Sequence, residues 1–229
     1  MRVLDVRFAS GRQLGAGWRT CYPWSCTIAT SGEVEWYQAA NVTVRSSALA
    51  LTARAQRVHG RPFTSGMVQS RRGFDFRYGL VVVTAKVPVV PGAWPALWML
   101  PADGTWPPEI DIMEFYGSAP GSIIQTLHLG ADDRIDQQVV RVASLGTRFH
   151  RFAVDWEPHS VTWFVDGRRT FQVRASLPVT MYLLADLAVQ AGTVPSSPSY
   201  PASFEVRSIE VFQHPGVGSV ECAMPACAG

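Results

Sequence analysis

Apolar and polar positions along this chain alternate with period two over short runs, and no stretch of twelve or more residues carries a helical stripe. The pattern predicts strands at 34–37, 41–45, 48–53, 96–100, 109–115, 123–129, 137–143, 181–190 and 204–212. A longer candidate covers 74–87, with Gly79 as a bulge or bend. The runs Val161 to Val165 and Arg169 to Val173 read as a hairpin, because Asp166-Gly167 between them supplies the positive-φ positions of a tight turn. Strands recur every ten to fifteen residues, separated by Gly, Pro, Ser and Asp. That spacing reads as an all-β, two-sheet sandwich. No internal repeat or composition break interrupts it, so residues 1–229 read as one domain, with Thr193 to Pro201 as a surface loop.

Composition narrows the function classes. The apolar fraction of 47% is enough for a full core, while charged residues, at 17%, fall below the usual quarter. Eight tryptophans in a charge-poor chain suit sugar binding, since pyranose faces stack on indole, although about half of them are expected to serve the core. Net charge is +2 with no run of like charge, which argues against nucleic acid as a partner. No apolar stretch is long enough to span a bilayer; Leu80 to Val90 is interrupted by Lys86 and Pro88. No leader peptide is visible at Met1 to Val6.

Four cysteines fall as Cys21/Cys26 and Cys222/Cys227, and neither spacing makes a zinc knuckle. Three pairings are open to them. Disulfides that tie down terminal loops are the favoured reading, and they point to a secreted, extracellular protein. No Gly-rich phosphate loop, Gly-x-Ser-x-Gly elbow or His-Glu-x-x-His occurs, so no cofactor is expected.

The most informative segment is Glu109-Ile110-Asp111-Ile112-Met113-Glu114, three carboxylates in six residues that are otherwise Ile and Met. Strand parity puts Glu109 and Asp111 on one face and Glu114 on the other. One extra residue, a β-bulge near Ile112-Met113, brings Glu114 round beside them. Mutual repulsion must then spread the three pKa values, so that one carboxyl can act as acid while another stays ionised. Retaining glycoside hydrolysis has that requirement. The alternative is an acidic edge strand that guards against aggregation.

This segment resembles the bulged active-site signature of glycoside hydrolase family 16, the laminarinases, lichenases, agarases and carrageenases. The resemblance continues through Glu33-Val34-Glu35-Trp36-Tyr37, Thr64-Ser65-Gly66, Tyr78-Gly79, Gly92 to Pro101, Phe149 to Trp156, Val165-Asp166-Gly167 and Leu187-Ala188-Val189. It covers about residue 30 to residue 212 and implies a concanavalin A-like jelly-roll sandwich with a cleft along its concave sheet. By position it makes Glu109 the nucleophile, Glu114 the acid/base and Asp111 the carboxyl between them. It places Trp94, Trp98 and Trp106 as candidate sugar platforms and His128 beside the site, with His150 and Trp156 as scaffold.

The implied partner is a polysaccharide, a β-1,3- or mixed-linkage β-glucan first, acted on by a monomer. A galactan or bacterial exopolysaccharide is the runner-up, and a non-catalytic glucan-binding protein is the alternative of another class. Three departures from the family pattern bear on substrate: Leu80-Val81-Val82-Val83 where arginine and glutamate are frequent, Gly32 for asparagine, and Asp186 for asparagine. The first two are expected to remove donors to outer sugars. Arg207 stands where many members carry a calcium-binding aspartate, so no metal is expected there.

Overall fold

The computed structural model describes residues 1–9, 14–130, 134–192 and 199–227. In chain order its strands are β1 (Arg2–Arg7), β2 (Glu35–Tyr37), β3 (Val42–Arg45), β4 (Ala48–Ala53), β5 (Phe63–Ser65), β6 (Met67–Gln69), β7 (Phe74–Arg77), β8 (Gly79–Lys86) and β9 (Ala93–Pro101). There follow β10 (Glu109–Glu114), β11 (Ser122–Leu129), β12 (Arg134–Arg141), β13 (His150–Glu157), β14 (Ser160–Val165), β15 (Arg168–Val173), β16 (Met181–Val189), β17 (Ala202–Phe212) and β18 (Ser219–Cys222). The back sheet runs β15-β14-β13-β8-β17-β4-β3, with β1 on β17; the cleft sheet runs β12-β11-β10-β9-β16-β7-β18, with β6 on β16. Two antiparallel sheets packed face to face are the sandwich that the strand spacing predicted.

Alternation explains how the cleft sheet is covered on both sides. Leu97 and Met99 of β9 and Leu183, Ala185 and Leu187 of β16 point into the inter-sheet core with Val81, Val83, Phe152 and Val154 of the back sheet. Their even-numbered neighbours Ala96, Trp98, Leu100, Tyr182 and Leu184 form a second apolar cluster with Tyr22 and Tyr37. Strands buried on both faces lose the polar half of the alternation, which is why 93–101 and 181–189 read as near-continuous apolar runs.

The predicted single strand over 74–87 is two strands in different sheets. Tyr78 (φ 61°) and Gly79 (φ 143°) turn the chain from the cleft sheet to the back sheet. A Cβ at Gly79 would lie 2.6 Å from the Phe212 carbonyl oxygen, so the turn needs glycine. This break also corrects the reading of Leu80 to Val83. They lie on β8 in the back sheet, so side chains there cannot reach a sugar in the cleft.

The hairpin β14–β15 forms as expected, with Asp166 (φ 50°) and Gly167 (φ 81°) in its turn. The strand expected at 137–143 instead begins at Arg134 and ends at Arg141. Residues 193–198, most of the expected 193–201 loop, lie outside the described residues. Both cysteine pairs are local, Cys21–Cys26 and Cys222–Cys227. The Arg207 guanidinium, where the resemblance puts an aspartate in many family members, lies 3.8 Å from the centre of the Phe149 ring.

Candidate active site

The register of β10 contains the bulge. Asp111 pairs with Trp98 and Met113 with Leu97 on one side, while Asp111 pairs with Thr126 and Glu114 with Ile124 on the other. Both ladders slip by one residue between Asp111 and Glu114. Ile112 and Met113 therefore both enter the core, and Glu114 joins Glu109 and Asp111 on the cleft face. Because β10 lies between β9 and β11, the acidic edge-strand alternative does not hold. Two side chains brace the bulge from inside. The Trp163 indole of the back sheet donates to the Asp111 carbonyl at 2.8 Å. The Gln125 amide donates to the Ile112 carbonyl at 3.4 Å, with its own oxygen held by Thr170 at 2.7 Å.

The three carboxyls open on a cavity of about 570 Å³. Each has its own set of partners. Glu109 accepts from the Trp106 indole at 2.6 Å and lies beside the Asp111 carboxyl. Asp111, 3% exposed, lies 3.1 Å from His128 Nε2. Glu114 accepts from the Trp94 indole at 3.0 Å, from the Tyr116 hydroxyl at 3.3 Å and from Thr126 at 3.4 Å.

Burial, then the neighbouring Asp111 charge, pushes Glu109 well above the ordinary carboxyl range. Burial, then the Glu114 charge, does the same to Asp111. Burial also raises Glu114, against the pull of its Trp94 and Tyr116 hydrogen bonds, which favour the ionised form. Three interacting carboxyls titrate as a group, so the site can keep one proton and one charge side by side near neutrality. Glu109, Asp111 and His128 also bring one donor atom each within 4.8 Å of one another, as do Asp155, Glu157 and His214 on the back sheet. In the first set Asp111 is 3.1 Å from His128 and Glu109 accepts from Trp106.

The sequence profile of glycosyl hydrolases family 16 matches residues 30–202. The chain belongs to this family. Among its relatives is the endo-1,3-1,4-beta-glycanase EglC of Rhizobium meliloti, 31% identical over 198 residues; the match takes in 75% of this chain and 42% of that protein. The chain thus spans less than half the length of this curated relative. The fold is also that of solved family 16 structures. The laminarinase from Rhodothermus marinus superposes with a TM-score of 0.83 and 25% identity, over 93% of this chain and 98% of that one. SCLam, a non-specific endo-beta-1,3(4)-glucanase, superposes with a TM-score of 0.86 and 26% identity, over 93% and 91%.

Within this family 16 cleft, the residues named from sequence separate into two kinds. Trp106 is 58% exposed beside Glu109, and Trp94 stacks on Tyr116 at 5.0 Å with its indole on Glu114. Trp98 faces the cleft as well but is only 8% exposed. Its indole donates to Asp186 at 2.6 Å and its ring meets Tyr22 edge-on, so it is floor more than platform. His150 and Trp156 are buried scaffold, the former 2.8 Å from Asp166.

Sequence reasoning missed Tyr22, Trp24 and Glu33, which line the same cavity, and read Asp186 only as a departure. Asp186 accepts from both Trp98 and Tyr37, the latter at 3.1 Å; an asparagine there could accept from only one of them and would have to donate to the Tyr37 oxygen instead. Gly32 adopts φ 86°, a conformation that glycine takes freely and asparagine tolerates. The signal that could have found Trp24 is its place between Cys21 and Cys26.

Proposed function

We propose that this chain cuts internal β-1,3 or mixed β-1,3-1,4 linkages of a β-glucan, with retention, by double displacement through a covalent glycosyl-enzyme. One observation carries the reading: the bulge at Ile112-Met113 brings Glu109 and Glu114 to one face, on either side of Asp111, in one open cavity. In retaining enzymes the paired carboxyls stand roughly 5–5.5 Å apart, with room for a nucleophile and an acid but no water between them.

A Glu109 carboxylate oxygen attacks the anomeric carbon while Glu114 gives its proton to the departing glycosidic oxygen. The carbon–oxygen bond breaks as the ester to Glu109 forms. Glu114 then takes a proton from water, whose oxygen attacks the same carbon and releases Glu109. Two inversions leave the configuration unchanged. Asp111, beside Glu109 and 3.1 Å from His128, supports the nucleophile's charge as it forms and departs. Trp106 holds Glu109 in line and offers its exposed face to the sugar.

The naming of SCLam as an endo-beta-1,3(4)-glucanase supports the glucan class, and that of EglC as an endo-1,3-1,4-beta-glycanase supports the linkages. The two disulfides support action outside the cytoplasm. The inter-sheet core, drawn from β1 to β17, supports one catalytic domain. Product profiles on laminarin, barley β-glucan, agarose and xyloglucan test the substrate: release of oligosaccharides from the first two is expected. Cleavage of agarose alone rejects the glucan reading and favours the galactan one.

A further inference from the structure

We propose that Trp24 is a sugar-stacking platform in the cleft, gripping a unit of the polysaccharide other than the ones being cut. This deepens the polysaccharide reading above and rests on it. Trp24 is 56% exposed and lines the same cavity as Glu109 and Glu114. A single exposed apolar side chain is ordinary on a protein surface, so the weight falls on its place in the cavity and on what holds it there.

The ring is also held still. It stacks on Tyr22 with centroids 5.2 Å apart and planes 6° from parallel. Tyr22 is itself buried, and meets Tyr37 and Trp98 edge-on at 5.6 and 5.9 Å. Trp98 pairs across the ladder with Asp111, so an unbroken aromatic chain joins Trp24 to the catalytic strand.

The loop beneath is fixed at several points. Cys21 and Cys26 are bonded, the Tyr37 amide donates to the Cys26 carbonyl at 2.8 Å, and the Gln69 amide donates to the Cys21 carbonyl at 3.2 Å. A rigid ring with one face on protein and much of its surface in solvent loses little conformational freedom when it binds. Glu33 lines the same cavity and its carboxyl supplies a partner for a sugar hydroxyl, where the outer face of an indole supplies none. An apolar face beside a hydroxyl partner suits a β-linked hexopyranose, whose axial hydrogens make one face apolar while its edge carries hydroxyls.

Affinity electrophoresis in gels containing laminarin or barley β-glucan reads binding without turnover, with Glu109→Ala as the background. Trp24→Ala in that background is expected to weaken retardation about five- to tenfold, and Trp24→Phe to recover most of it because a ring face remains. On the active enzyme, the Trp24→Ala loss should fall mainly on KM and grow with oligosaccharide length. Equal retardation of Trp24→Ala and its parent overturns the platform, as does a parent that neither gel retards. A retarded parent from an enzyme that cuts neither polymer overturns the hydrolase reading and leaves the platform standing. An unchanged melting temperature in Trp24→Ala, expected for so exposed a side chain, separates lost contact from lost fold.

Discussion

Two groups of carboxyls line or adjoin the cleft, and they differ in one respect. Glu109, Asp111 and Glu114 crowd together on β10; Glu33 and Glu35 crowd together at and beside β2, and burial raises the pKa of both. In both groups burial is the leading cause of a raised pKa, so neither clustering nor perturbation separates them. Access and donors do. Glu109 and Glu114 stay partly exposed in the cavity, each under an indole N–H. Glu35 is fully buried; one of its oxygens accepts from the Val189 amide at 2.6 Å and the other is sealed from solvent. A perturbed carboxyl is a candidate for chemistry; an oxygen that a substrate can reach makes it a strong one.

The sharpest way to break this comparison is to remove one carboxyl from each group. Glu109→Ala and Glu114→Ala are each expected to lower kcat about 10³-fold or more on a glucan substrate. Glu35→Gln should stay within a few-fold of the parent. A folded Glu35→Gln as inactive as Glu109→Ala would erase the distinction. Next in size is the brace under the bulge. Trp163→Phe leaves the Asp111 carbonyl without its donor and is expected to cost about 1–3 kcal/mol in urea unfolding, with a fall in kcat as Glu114 loses its aim. Full stability and full activity together would show that the bulge holds itself.

The pH dependence sharpens the same point on a smaller scale. A carboxyl whose folded pKa is raised keeps its proton after the unfolded chain has lost its own, so unfolding free energy falls as pH rises through that window. For Glu35 the window opens at its ordinary value of 4.5 and extends up to its raised folded value. Urea midpoints should therefore drop as pH rises above 4.5, and Glu35→Gln should flatten the drop. A steeper drop in the variant contradicts the assignment. The acid limb of the kcat/KM profile should likewise lie above the ordinary carboxyl range, because burial raises both Glu109 and Glu114.

How much of this was legible beforehand follows the range of each interaction. The bulge on β10 could be read because parity within six residues is a local constraint, and the β14–β15 turn because Asp-Gly is a local signal. The split of 74–87 was hidden because Tyr78 holds a positive φ that its residue type does not advertise, and β7 and β8 continue the same apolar rhythm into different sheets. The brace from Trp163 to Asp111 spans 52 residues, and the Tyr37–Asp186 bond spans 149. No local pattern carries such pairs. Trp98 was placed on the correct face but given too much exposure, since the loop that covers it through Tyr22 arrives from outside the strand pattern.

The central claim is that Glu109 attacks the sugar and Glu114 handles the proton, and azide rescue tests it most directly. In Glu109→Gly, added azide should restore turnover of an activated β-glucoside and give the α-glycosyl azide, inverted at the anomeric carbon. In Glu114→Gly it should give the β-azide, because Glu109 still forms the intermediate. An α-azide from Glu114→Gly, with a β-azide or no rescue from Glu109→Gly, would contradict the account.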